Sequence, residues 1–181
     1  MAKHRQLLSS LLSAAAAAAI LAACTPATPR IVDDFNFGWR FQLGDDAAYA
    51  GTGFDDASWR ELHLPHDWSI EGEFSASNPS TPSGGALPGG IGWYRKTFET
   101  PDGVAEGKRV FVEFDGVFMN STVYVNGIAQ GTRPYGYSSF TYDITDALSP
   151  EGINSIAVRC DNADQPNSRW YAGCGIYRNV R

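Results

Sequence analysis

Apolar side chains recur at every second position in segment after segment of this chain. In "FNFGWRFQL" they are Phe35, Phe37, Trp39, Phe41 and Leu43, and in "RVFVEFDGV" Val110, Val112 and Phe114. "SSFTYDIT" repeats the pattern with Phe140, Tyr142 and Ile144, and "NSIAVRCDN" with Ile156, Val158 and Cys160. A period of two places successive side chains on opposite faces of an extended chain, so each segment reads as a strand with one buried face. "WYRKTFET" is a further strand, and "ASWRELHLPHDW" holds a short one broken at Pro65. In "STVYVNGIAQG" the Asn126-Gly127 pair between apolar runs predicts a hairpin with a two-residue turn. Only the first residues, and "DITDAL" after Tyr142, suit a helix. Short strands separated by turn residues predict an all-β fold, a β-sandwich or barrel whose facing sheets bury the aromatic stripes.

The start of the chain is not part of that fold. Lys3 and Arg5 precede the apolar run "LLSSLLSAAAAAAILAAC", the layout of a secretory signal, and Pro26 and Pro29 follow at once. The run could also anchor as a membrane helix, but its alanines are only weakly apolar. Residues 1–23 are therefore expected to be a signal peptide, 24–34 a linker that includes "TPATPR", and 35–181 the domain. Past residue 24 no stretch is long and apolar enough to span a bilayer.

The charge balance and the polar motifs exclude several chemistries. A chain of 181 residues with 20 acidic and 14 basic side chains would repel nucleic-acid phosphates. "GGALPGGIG" is rich in glycine but lacks the Lys-Ser/Thr step and following helix of a phosphate cradle. Cys160 and Cys174 have no nearby histidine pair, so no metal site is expected. In an exported protein these two cysteines either bridge or stand as separate thiols, and spacing alone does not decide. No cofactor is expected. Asp33-Asp34, Asp45-Asp46 and Asp55-Asp56 read as solvated turn residues, and Glu113 as outward-facing. "HLPHDW" reads as a polar corner in which His66 or Asp67 bonds to backbone, since adjacent His and Asp do not suit a catalytic triad. No pair of acids forms a recognisable catalytic dyad, so no catalytic residue is assigned.

Two regions stand out as candidate binding elements. The stretch Glu71 to Gly92, with "NPSTPSGGALPGGIG" at its centre, is a long loop of the kind that carries function. "DNADQPNSRWYAG" gathers amides, hydroxyls, an arginine and two aromatics, a set suited to sugars, whose apolar faces are ringed by hydroxyls. Trp170 and Tyr171 either contact a ligand or plug the end of the sandwich. Arg169 reads as functional, because a guanidinium is costly to bury without a partner.

The order of "FNFGWRF", "WRELHLPHDW", "GGIGWYRKTF", "FDGVFMNSTVYVNG", "YGYSSFTYDIT", "NSIAVRCDN" and "SRWYAGCGIYRNV" resembles the N-terminal sugar-binding domain of glycoside hydrolase family 2, most of all its bacterial β-galactosidases. The resemblance covers residues 35 to 181. It implies a jelly-roll β-sandwich of the galactose-binding-domain type. It also implies a separate catalytic barrel that holds the two glutamates of a retaining mechanism, neither of them here, so this polypeptide alone is expected to be inactive. The motif match carries over Asn167, Ser168, Arg169, Trp170, Tyr171 and Asp67 as contacts for a β-galactoside-type sugar at the rim of the active site. Some family members use an Asp where this chain reads Asn167-Ser168-Arg169. "GIYRNV" is expected to be the domain's last strand, and the polypeptide to be a truncated product or a fragment of a longer frame. Leu21-Ala22-Ala23-Cys24 resembles a bacterial lipobox, which implies cleavage before Cys24, lipid on its thiol and a membrane-anchored location in the periplasm or at the cell surface. The alternative function is a free-standing carbohydrate-binding lipoprotein.

Overall fold

Two ten-residue strands run antiparallel through the middle of the domain, β3 (Gly90–Glu99) and β8 (Ile153–Asn162), paired along their whole length from Gly90 opposite Asn162 to Glu99 opposite Ile153. The computed structural model describes residues 30–181; the expected signal peptide, Cys24 and the expected linker up to residue 29 lie outside them. Arg30 to Val32 belong to a separate unit and are exposed, and the domain is Asp33–Arg181. Around the central pair lie β1 (Trp39–Leu43), β2 (Arg60–Leu62), β5 (Ser121–Val125) and β6 (Ile128–Arg133), in the order β2-β1-β3-β8-β5-β6. β4 (Phe111–Phe114) and β7 (Phe140–Asp143) form a second sheet. All pairings are antiparallel. The fold is thus all-β, as the alternation predicts. Four short 3₁₀ turns are the helical segments of the described residues, one of them Thr145–Ala147 in the "DITDAL" stretch.

The alternation explains the layering. On one face of the large sheet Trp39, Phe41, Tyr94, Val123, Val125, Ile156, Val158 and Cys160 pack against Val112, Phe114 and Phe140 of the small one. Each such side chain stabilises by roughly 1.5–3 kcal/mol on leaving water. The Trp39 indole N–H, buried with the ring, donates to Phe35 O at 2.7 Å. The β5–β6 hairpin closes on Asn126-Gly127 with Val125 opposite Ile128, and both turn residues have left-handed φ, 49° and 78°. That is the geometry a two-residue turn needs to match strand twist.

Several expectations are corrected. The stripe from Phe35 to Leu43 is not one strand: the chain turns at Gly38 (φ 69°), β1 begins at Trp39, and Phe37 and Leu43 are exposed. "GIYRNV" forms isolated bridges, Gly175 with Phe118 and Val180 with Phe114, in place of a full strand. Arg181 is tied on by two main-chain bonds to Glu113 and a two-point contact with Asp115 at 2.8 and 2.9 Å. The cysteine pairing, which spacing left open, resolves as two separate thiols, since Cys160 and Cys174 are both buried and unbridged.

The outer face of the large sheet has its own cover, which the sequence reading did not foresee. Tyr49, Phe54 and Trp59 from the connection after β1 pack on Trp93, Tyr124 and Ala157. Two of the acids expected to be solvated serve this cover. Asp56 binds the buried Arg95 at 2.9 Å, and Asp45 takes the Trp93 indole at 3.0 Å and Arg159 at 2.7 and 2.8 Å. The Arg159 contact holds the Asp45 carboxyl below its usual pKa.

Candidate functional site

The closing loop begins where β8 ends, and Asn162 fixes it there. Its side chain is 2% exposed; the amide N–H₂ donates to Gly173 O at 3.0 Å and to Cys174 Sγ at 3.1 Å. Its Oδ1 accepts from Asn167 Nδ2 at 2.6 Å, and its backbone carbonyl accepts from Gln165 Nε2 at 3.1 Å. One buried amide thus gathers residues 165, 167, 173 and 174 into a tight arc. Asn167 also approaches Met119 Sδ at 3.4 Å.

Asp67 anchors the other side of the arc. Oδ1 accepts the main-chain N–H groups of Ser69 and Cys174, each at 2.9 Å, and Oδ2 accepts the Tyr171 hydroxyl. Burial and then the Asp67 carboxylate push the Tyr171 hydroxyl far above the ordinary phenol pKa, so it stays a donor. Burial pushes the Cys174 thiol up to about 11, which leaves it a neutral packing group. The expected polar corner therefore exists, with Asp67 bonding backbone as anticipated.

Behind Asp67, His66 is nearly enclosed. Nδ1 meets the Tyr94 hydroxyl at 2.8 Å, and Nε2 lies 2.7 Å from Arg60 and 3.2 Å from Glu71. Burial holds its pKa below the ordinary histidine value, against the opposing pull of Glu71, so the ring is neutral at pH 7. His66 stacks edge-on against Phe41 at 4.7 Å and belongs to the packing beneath the site.

Between the arc and the Glu71–Gly92 stretch lies a hollow lined by Ser69, Ser80, Leu87, Asn162, Asn167 and Tyr171, among others. Its interior room is about 20 Å³, enough for one water and far too small for a sugar ring. Ser80 and Ser69 are spent on the carbonyls of Leu87 and Pro88. A ligand here would rest on the rim and not in the hollow. No carboxylate lines the hollow, and among the described residues no group of three potential metal ligands occurs. Asp67, its oxygens already taken by Tyr171 and two main-chain N–H groups, does not make the carboxyl pair that glycosidic cleavage needs.

The six residues proposed from sequence are brought together, but in two roles. Tyr171 and Asp67 form the hydrogen-bonded support, and Asn167 and Ser168 bond within the loop, Ser168 Oγ to Trp170 O. Trp170 is 65% exposed, so it does not plug the sandwich. Arg169 is exposed and, among the described residues, has no hydrogen-bond or ion-pair partner, so the argument from its burial does not apply. The buried fixing point, Asn162, was legible only as one more loop amide. Its signal is position: an amide ending an alternating strand, where its side chain turns inward.

Residues 92–172 match the glycosyl hydrolase 2 galactose-binding domain-like family. The chain is 59% identical over 163 residues to Beta-galactosidase BoGH2A of Bacteroides ovatus, covering 88% of this chain and 19% of that protein. It is 47% identical over 152 residues to a putative beta-glucuronidase of Formosa agariphila, covering 84% of this chain and 14% of that protein. A crystal structure of a beta-glycosidase from Bacteroides vulgatus superposes with a TM-score of 0.77 at 46% identity, over 81% of this chain and 19% of that one. The chain therefore spans about a fifth of the length of such relatives. Fold, motif order and identity agree that this chain belongs to glycosyl hydrolase family 2, through its galactose-binding-like domain.

Proposed function

We propose that this domain supplies a saccharide-contacting rim to a retaining β-glycosidase of β-galactosidase type, whose bond-breaking glutamates belong to a barrel elsewhere in a longer polypeptide. One observation carries the reading: Trp170 and Arg169 stand exposed on a loop that Asp67, Tyr171 and Asn162 hold rigid. An indole face at the surface offers a sugar ring an apolar platform, and the guanidinium beside it offers donors to ring oxygens. Rigidity matters because a rim ordered in advance loses little entropy on binding.

The test is Trp170→Ala in the longer enzyme. Loss of an exposed aromatic platform should lower kcat/KM for an aryl β-galactoside roughly 10- to 100-fold, the effect of about 1.4–2.8 kcal/mol of lost contact. Thermal stability should stay within about 2 °C of wild type, since surface substitutions stay within about 0.5 kcal/mol. Unchanged kcat/KM would show that the rim does not meet substrate.

The sequence features of the first 24 residues support export and lipid anchoring through Cys24, with the domain read as a jelly roll tethered by a short linker. Acyl chains would hold the protein on a membrane surface without spanning it. Cys24→Ser should move the protein from the membrane fraction of expressing cells to the soluble one and abolish incorporation of labelled palmitate. Retention of label in the variant would refute lipidation at this thiol.

A further inference from the structure

A second concavity lies away from the closing loop. It is an open groove of about 530 Å³ lined by Tyr137, Ser138, Ser139, Tyr177, Arg178 and Asn179, among others, and it shares no lining residue with the hollow described above. The hollow has room for one water. The groove falls within the range of sites that take small molecules, about 300–1,000 Å³. Its walls are fixed. The Tyr177 hydroxyl donates to Gly136 O at 2.9 Å, which ties the segment before β7 to the one after Gly175. Gly136 lies so close to Phe118 that an added Cβ would meet its ring at 2.3 Å, and Tyr137 meets the same ring edge-on at 5.1 Å. Asp115, also on the lining, is held by Arg181 at 2.8 and 2.9 Å.

The groove keeps polar groups that the fold does not use. Among the described residues, the hydroxyls of Tyr137, Ser138 and Ser139 and the Arg178 guanidinium have no hydrogen-bond partner. Arg178 rests over the Tyr177 ring at 5.4 Å, a contact that leaves its N–H donors unspent. Tyr137 is 45% exposed, and the exposed Tyr135 ring stands 5.6 Å from it. In the hollow, by contrast, Ser69 and Ser80 are already bonded to carbonyls.

We propose that this groove is a second carbohydrate-binding site, separate from the rim, which takes two or more units of an oligosaccharide. Exposed tyrosine faces cover the apolar faces of sugar rings, and the unspent hydroxyls and guanidinium meet the sugar hydroxyls. Walls ordered in advance lose little entropy on binding. A protein partner fits the lining less well. The buried centres of protein interfaces are poor in serine and aspartate, and this groove presents two serines and Asp115.

The experiment titrates the chain with cellotriose, with lactose and, as a one-ring control, with methyl β-D-galactoside. NMR shifts of the Tyr137, Ser138, Ser139 and Tyr177 amides report the groove, and the Trp170 indole reports the rim. At least one of the two oligosaccharides should shift the groove amides and bind there about tenfold more tightly than the one-ring control, the gain from a second stacked ring. Tyr137→Ala should weaken that binding about tenfold. Arg178→Ala changes an exposed side chain, so it covers the case in which Tyr137→Ala disturbs Phe118; it should weaken binding about three- to tenfold. Trp170→Ala should leave the groove shifts in place. If neither oligosaccharide moves the groove amides, the proposal fails, and shifts confined to Trp170 then leave the rim reading standing. It fails too if Trp170→Ala abolishes the groove shifts, or if both groove variants bind as wild type does. Groove amides that move with protein concentration in the absence of sugar, together with a dimer in sedimentation, overturn it in favour of a second copy of the chain.

Discussion

Gly175→Ala should destabilise the domain by about 2–5 kcal/mol, lowering its Tm by roughly 5–15 °C. Gly175 sits at φ +107°, where a Cβ would lie 2.1 Å from the Tyr94 hydroxyl and 3.0 Å from the Trp68 ring. Neither neighbour can yield easily. Tyr94 is fully buried in the central strand and its hydroxyl is held by His66 at 2.8 Å, while Trp68 is 3% exposed. Overpacking of this sort costs about 1–3 kcal/mol, and the left-handed backbone adds about 1–2 for a residue with a side chain. Gly90→Ala separates the two contributions, because Gly90 has a similar φ of +111° but nothing within 4 Å of the added carbon. It should lose only the backbone part, about 1–2 kcal/mol. Urea melts of the two variants giving the same loss would show that the space beside Tyr94 is not the constraint.

The second large effect is expected at Asp56→Ala. Asp56 faces Arg95 at 2.9 Å and Arg40 at 3.5 Å, and the Arg95 side chain is only 3% exposed. Removal of the carboxylate leaves a buried guanidinium with the Tyr49 carbonyl and the face of the Phe54 ring as its remaining partners. An uncompensated buried charge costs about 3–5 kcal/mol. The double variant Asp56→Ala with Arg95→Met should recover most of the loss, because apolar replacements of buried pairs are often neutral. The outer-face aromatics Tyr49, Trp59 and Trp93 report the change by fluorescence, since all three pack in the cluster that Arg95 crosses. A loss under 1 kcal/mol would mean that Arg95 reaches water when its partner is removed.

Much of the strand layout was legible because the cue is local. Ile156, Val158 and Cys160 alternate in sequence and are all fully buried on one face, and Asn126-Gly127 turns as its φ preferences require. Where the reading failed, the deciding contact came from far along the chain. Asp45 and Asp56 look like ordinary turn acids, and only the fold brings Arg159 and Arg95 to them, 114 and 39 positions away. Phe37 and Leu43 continue the alternation of Trp39 and Phe41, yet lie beyond the part of the strand that another layer covers.

The candidate site divides the same way. Which residues form it could be read from the cluster of amides, arginine and aromatics in one loop, since composition reports the chemistry a segment can perform. Which of them support the loop and which face outward could not, because that depends on Asp67, 104 positions before Tyr171, and on the buried Asn162. The amino-acid sequence alone determined the all-strand character, the hairpin turn and the family, all consequences of short-range period and ordered motifs. The tertiary structure decided the partners of the charges, the cover on the outer face and the exposure of Arg169 and Trp170, because those depend on which distant segments meet and on which groups contact with water leaves unpaired.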